Sequence, residues 1–282
     1  MHSVLPYPDI GEIALSLGPV DIRWYGLAYA VGLLLGWVYV RRLVENGPLW
    51  GGSSGINSTH IDDYLLWATL AVVLGGRAGY VLFYQPSHYF ENPLEIFYLT
   101  KGGMSFHGAM LTGGIITYIF AKLKNISFLS LADAACASIP IGLFFGRIAN
   151  FINAELWGRV TDVSWAMKFP LKNQFGEIVG YTEPRHPSQL YEAALEGLVL
   201  FIILWLATHL YKKLEQPGFV TGLFLAGYGL ARGFVEHFYR QPDLEHPISI
   251  HTPLTAGLLY SIPMVLFGIY LIYRSNTKKL TE

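Results

Sequence analysis

The chain has 282 residues, a formal net charge of −1, 52% hydrophobic residues and 14% charged ones, against roughly 25% charged in an average soluble domain. So little charge cannot cover a soluble surface, and a near-zero balance leaves no electrostatic footprint for nucleic acid. The sole cysteine, Cys136, lies in an apolar run, which excludes an internal disulfide and makes the thiol a small hydrophobe.

Apolar runs of about 18 residues or more recur along the chain, each long enough to cross a hydrocarbon core of roughly 30 Å as a helix. The predicted fold class is an all-α integral membrane protein, a bundle of about seven transmembrane helices forming one polytopic domain over 1–282. The first span covers 22–40 and begins with Arg23, Trp24 and Tyr25. No Lys or Arg precedes Arg23, so the basic start of a signal peptide is missing and the run reads as a retained helix. Residues 47–58 (GPLWGGSSGINS) predict a flexible linker. The second span, 61–84, contains Arg77, and the third, 105–121, is entered through Gly102-Gly103-Met104-Ser105-Phe106-His107-Gly108. A lone histidine there is as often hydrogen-bonded packing as a functional group.

The fourth span, 129–150, ends on Arg147 and Asn150. Residues 151–187 are long, mixed in polarity and punctuated by Gly and Pro, predicting a small extracytoplasmic head between the fourth and fifth spans. Within them, β-like patches at 163–169 and 174–181 predict a hairpin. The fifth span, 188–210, opens with Gln189 and Glu192; the sixth, 218–238, carries Tyr228, Arg232 and Glu236; the seventh covers 250–273. The pairs Gly32 and Gly36, Gly75 and Gly79, Gly142 and Gly146, and Gly229 and Gly233 have the spacing that lets helix backbones approach closely.

Outside the spans, Arg41, Arg42, Lys122, Lys124, Lys212, Lys213, Arg274, Lys278 and Lys279 fall on one side, nine in all. The six residues Lys101, Arg159, Lys168, Lys172, Arg185 and Arg240 fall on the other. The excess of positive charge marks the cytoplasmic side, which places the N-terminus outside and the C-terminus in the cytoplasm. With that topology Arg23, Arg77, Arg147 and Arg232 all lie in the outer half of their spans, as do Tyr25, His107, Asn150, Gln189, Glu192, Tyr228 and Glu236. A guanidinium at mid-bilayer costs at least roughly 2.5 to 3.5 kcal/mol, so such residues face a cavity or reach an interface. Tyr228, Arg232 and Glu236 share a helix face, as do Arg147 and Asn150. Two arginines opposed across a bundle suit a doubly liganded phosphate; the plainer alternative pairs Arg232 with Glu236 and Arg147 with Glu155.

The segment Gly146-Arg147-Ile148-Ala149-Asn150-Phe151-Ile152-Asn153-Ala154-Glu155-Leu156-Trp157-Gly158 resembles the signature GRxxNFxNxExxG of the prolipoprotein diacylglyceryl transferase family at every fixed position. Further matches are Ile22-Arg23-Trp24-Tyr25-Gly26, Gly103-Met104-Ser105-Phe106-His107-Gly108, His186-Pro187-Ser188-Gln189-Leu190-Tyr191-Glu192 and Tyr228-Gly229-Leu230-Ala231-Arg232. The resemblance implies a bacterial inner (cytoplasmic) membrane enzyme that moves the diacylglyceryl group of phosphatidylglycerol to the lipobox cysteine of prolipoprotein signal peptides. It implies roles for Arg147 and Arg232 in lipid binding and catalysis, for His107 as a base, and for Tyr25, Asn150, Glu155, Gly158 and Glu236 as site residues. Asn153 from the signature, with Gln189 and Tyr228 from the shared depth, completes the expected substrate-binding set. Two departures stand out: Ala109 replaces a second glycine after His107-Gly108, and one extra residue separates Glu236 from Arg240-Gln241-Pro242-Asp243.

Sulfur alkylation with a phosphate monoester leaving needs charge stabilisation rather than a metal or a cofactor. An HExxH motif is absent, which weakens hydrolytic readings. The competing class is a transporter or flippase of an anionic lipid or solute, which requires polar groups continuing to the cytoplasmic half. That half holds little beyond Asp62, Asp63 and Asp133. A purely structural scaffold leaves the converged arginines unexplained.

Overall fold

The computed structural model describes residues 4–8, 10–18, 20–83, 85–98, 103–173, 176–242 and 255–279. Five helical stretches are long and apolar enough to cross a membrane: Trp24–Glu45, Ser58–Leu82, Phe128–Ile152, Ser188–Leu210 and Gly257–Thr277. A multi-pass helical membrane protein follows, since in lipid each backbone polar group must be satisfied within its own helix.

Before the first span, β1 (Ile13–Leu17) and β2 (Val20–Arg23) form an antiparallel ribbon with Leu17 opposite Val20. This corrects the start predicted at residue 22. Arg23 is still extended, with φ −88° and ψ 148°, and α1 runs from Trp24 to Glu45. The expected flexible linker is also corrected, because Leu49 and Trp50 are buried and Trp50 Nε1 donates to the Leu43 carbonyl at 2.8 Å. α2 (Ser58–Phe83) leads into a short surface arm, α3 (Pro86–Glu91) and a 3-10 turn (Pro93–Phe97). α4 (Phe106–Lys124) then packs along α2.

The fourth predicted span is two helices, α5 (Phe128–Cys136) and α6 (Ile139–Ile152). Pro140 sits in the first turn of α6; proline is tolerated there because that turn needs no N–H donor, but it cannot continue a helix from before. α7 (Ser188–Leu210) is one helical stretch that widens into i→i+5 turns over Ala193–Val199 and Leu206–Leu210. α8 (Phe219–Phe238) and α9 (Ala256–Lys279) pack against each other along their lengths. Residues 250–254 of the seventh predicted span lie outside the described residues.

Of the glycine pairs, Gly32 meets the backbone of Gly142, where an added Cβ would lie 3.0 Å from the Gly142 Cα. At Gly79 it would lie 2.7 Å from the Gly108 Cα, so the α2–α4 contact admits no side chain there. Gly146 touches nothing at such a range, and packing does not account for it.

Between α6 and α7 lies a small hairpin, β3 (Pro170–Lys172) against β4 (Ile178–Tyr181), with Leu171 opposite Gly180. The first expected strand, 163–169, is displaced: Met167 makes only isolated bridges, to Leu5 and Arg185. Phe151, Ala154 and Phe169 form a local core with Tyr7 and Trp157 around it, and the Tyr7 hydroxyl donates to the Phe151 and Ile152 carbonyls at 2.7 Å. The main apolar core, with Leu43, Phe120, Leu131, Leu204 and Val220, gathers toward the other end of the bundle.

Candidate active site

The end of α6, the start of α7 and the end of α8 meet in a cluster of buried charge. On α6, Arg147 donates to Glu196 Oε2 from Nε at 3.2 Å and from Nη2 at 3.0 Å, while its Nη1 stands 3.2 Å from Glu192 Oε2. On α8, Arg232 donates to Glu192 Oε1 from Nη1 and to Glu236 Oε2 from Nη2, both at 2.7 Å. Glu192 and Glu196 stand one turn apart on α7 with 0% exposure. Tyr228, one turn before Arg232, is buried in the same field. The shared face predicted for Tyr228, Arg232 and Glu236 is present.

Beside this cluster, Asn150 Nδ2 donates to Glu155 Oε1 at 2.6 Å and lies 3.5 Å from Tyr25 Oη. Gln189, fully buried, donates from Nε2 to the Glu155 carbonyl at 2.6 Å. Asn153 caps α6, and its Oδ1, like Gln189 Oε1, is buried without a partner among the described residues. Gly158 packs against the backbone of His186 and Tyr239, where a Cβ would come within 2.8 Å of the His186 carbonyl oxygen. Its need for glycine is thereby steric. Burial holds the nearby His186 imidazole below its ordinary range, and its Nδ1 lies 3.1 Å from Tyr191 Oη. His107 stands in the first turn of α4; its side chain lies outside the described parts.

Several expectations change. Arg147 pairs with Glu192 and Glu196 rather than with Glu155, which is taken by Asn150. Arg23 does not join the cluster: it is 68% exposed and lies 3.6 Å from Glu12 on the terminal ribbon. Arg77 is buried but serves the surface arm, donating to the carbonyls of Ile96 at 2.8 Å, Glu95 at 2.6 Å and Gly103 at 3.1 Å. In their place comes Arg240, whose Nη1 donates to Glu192 Oε1 at 2.8 Å. At the end of α8 the Arg240 N–H bonds the Val235 carbonyl five residues back. Glu196 was missed although two carboxyl groups at i and i+4 in an apolar span are a signal in themselves.

At the far ends of the helices the charges are locally accounted for. Asp62 pairs with Arg41 and Asp63 with Lys124. Asp133 accepts from the Gly218 N–H at 2.7 Å and from Thr221 N–H and Oγ1 at 2.7 and 2.6 Å, pinning the start of α8 to α5. This distribution disfavours a polar pathway through the bundle. Among the described residues no group of His, Cys, Asp and Glu side chains is disposed to hold a metal ion.

The family model for prolipoprotein diacylglyceryl transferase matches residues 12–274. The chain is 48% identical over 277 residues to a phosphatidylglycerol–prolipoprotein diacylglyceryl transferase of Allorhizobium ampelinum, covering 98% of this chain and 93% of the relative. Relatives of the same name from Rhizobium meliloti and Brucella canis are each 47% identical, over 98% and 97% of this chain and 95% of their own lengths. With the signature residues gathered around one arginine cluster and similarity running nearly end to end, the chain belongs to the prolipoprotein diacylglyceryl transferase family.

Proposed function

We propose that the protein transfers the diacylglyceryl group of phosphatidylglycerol to the lipobox cysteine of prolipoproteins. The observation that carries this reading is the set of three guanidinium groups, Arg147, Arg232 and Arg240, drawn from α6, α8 and the turn that ends α8 onto one buried carboxyl group. The thiolate sulfur attacks the glyceryl carbon, the carbon–oxygen bond to the phosphate breaks, and glycerol phosphate leaves with the bonding pair. Arginines in a water-poor site stabilise that developing charge. Tyr25, Asn150, Asn153, Glu155, Gly158, Gln189, Tyr228 and Glu236 complete the substrate-binding wall. Incubation of purified protein with phosphatidylglycerol and a lipobox peptide should yield a thioether-linked diacylglyceryl mass; its absence would end this reading.

A thiol of pKa about 8.5 is mostly protonated at neutral pH, and His107 takes its proton. His107→Gln should then lose roughly 10² to 10⁴ in turnover, with the loss shrinking as pH rises toward the thiol pKa because solution supplies thiolate. Single-turnover rates across pH check this, and near-wild-type rates at neutral pH would remove His107 from the base role.

The placement is the inner membrane of a bacterium, with seven spans when α4 and α8 join the five longer stretches, the N-terminus outside and the head at 151–187 facing outward. The nine-to-six asymmetry of Lys and Arg supports this orientation. An impermeant thiol reagent should label a cysteine placed at Gly176 in intact cells and one at Ser53 only after permeabilisation. The reverse pattern would overturn the outward-facing site.

A further inference from the structure

Arg147, Arg232 and Arg240 face Glu192, Glu196 and Glu236. Taken as ordinary ionised side chains, the three and three cancel, and the cluster as a whole offers an anionic phosphodiester no net attraction. The carboxyl groups differ in connectivity. Glu196 meets Arg147 at 3.0 Å and Arg232 at 3.9 Å, and Glu236 meets Arg232 at 2.7 Å and Arg240 at 3.6 Å. Glu192 alone in this cluster meets all three, with Arg232 and Arg240 on Oε1 at 2.7 and 2.8 Å and Arg147 on Oε2 at 3.2 Å. It is 0% exposed and comes from α7, whereas Arg147 comes from α6 and the other two from α8 and the turn that ends it. Like charges this close repel strongly in a low dielectric. A shared carboxyl group at their centre is what lets them aim at one point.

We propose that Glu192 is a positioning residue for the transfer reaction, fixing three guanidinium groups at the spacing that stabilises the departing phosphate while weakening ground-state attraction for the anionic lipid. The inference rests on the transferase reading. Neutralising Glu192 makes the cluster more positive, so phosphatidylglycerol binds at least as well. The guanidinium groups meanwhile lose their fixed aim, and a misplacement of about 1 Å costs on the order of 10² in rate. A side chain that merely filled space would not separate the two effects.

The full-length protein in mixed micelles, with saturating lipobox peptide and varied mole fraction of phosphatidylglycerol, tests this. Glu192→Gln should lower kcat by roughly 10² with an unchanged or lower KM for the lipid. Glu192→Asp keeps the charge but retracts the carboxyl group, so its KM should stay at the wild-type value while kcat still falls at least about tenfold. Wild-type kcat in either variant, or a rise in KM accompanying the loss, overturns the proposal. If Glu192→Gln loses its thermal transition, Glu192→Asp decides alone by the same criteria. Wild-type protein that transfers nothing refutes the transferase reading itself, a result distinct from any pattern among the variants.

Discussion

Arg232→Ala is expected to reduce diacylglyceryl transfer by a factor of about 10² to 10³, the usual loss when one preorganised donor is removed from a site of developing negative charge. Arg147→Ala should do the same. Each guanidinium sends separate nitrogens to separate carboxyl groups: Arg232 to Glu192 and Glu236, Arg147 to Glu192 and Glu196. A lysine ammonium is a single point and cannot span two acceptors in that way. Arg147→Lys and Arg232→Lys should therefore recover less than about tenfold of the lost rate. The measurement is the initial rate of thioether formation by mass spectrometry, normalised to protein recovered in the membrane fraction. Full activity in the two lysine variants would reduce both arginines to generic charge neutralisation.

The largest effect on stability is expected at Asp133. Its carboxyl group satisfies two backbone N–H groups and one hydroxyl at the start of α8, and it is 0% exposed. Buried donors left unsatisfied cost about 1 to 3 kcal/mol each, so Asp133→Ala should lose on the order of 3 kcal/mol, allowing for partial relaxation. On the scale of soluble domains that is a fall of about 6 to 12 °C in the apparent thermal midpoint, read by a thermal shift in detergent. Thr221 and Arg232 are eleven residues apart on α8, about 16 Å along its axis. Transfer by the folded variant at low temperature should therefore remain close to the wild-type rate. An unchanged midpoint would show that water replaces the carboxyl group without loss.

The helical positions were legible because lipid imposes a single length and a single polarity on whatever crosses it. What the sequence left hidden was local. Composition treats 129–150 as one apolar run, and only the backbone chemistry of Pro140 divides it. The ribbon before α1 pairs residues on either side of a turn, and apolar counting extends the helix into it. In the site, helical periodicity grouped Tyr228, Arg232 and Glu236 correctly because all three lie on one regular helix. Depth alone could not sort the remaining arginines: Arg23 and Arg77, expected at the level of Arg147, point instead to the ribbon and the arm. Arg240 follows a helix end, where the path of the chain depends on a wide turn that periodicity does not describe.

Arg77 holds the surface arm through the main-chain oxygens of Glu95 and Ile96, and its guanidinium also lies 5.1 Å from the centre of the Tyr89 ring. A clamp of this kind reads the course of the chain at two carbonyls and one inward-facing ring. Phe90, Leu94 and Phe97 on the same arm are 84%, 73% and 77% exposed, so their identity is decoupled from the means by which the arm is held. The arm can thus change its surface character at these exposed positions while Arg77 and the buried Tyr89 ring keep its place at the end of α2.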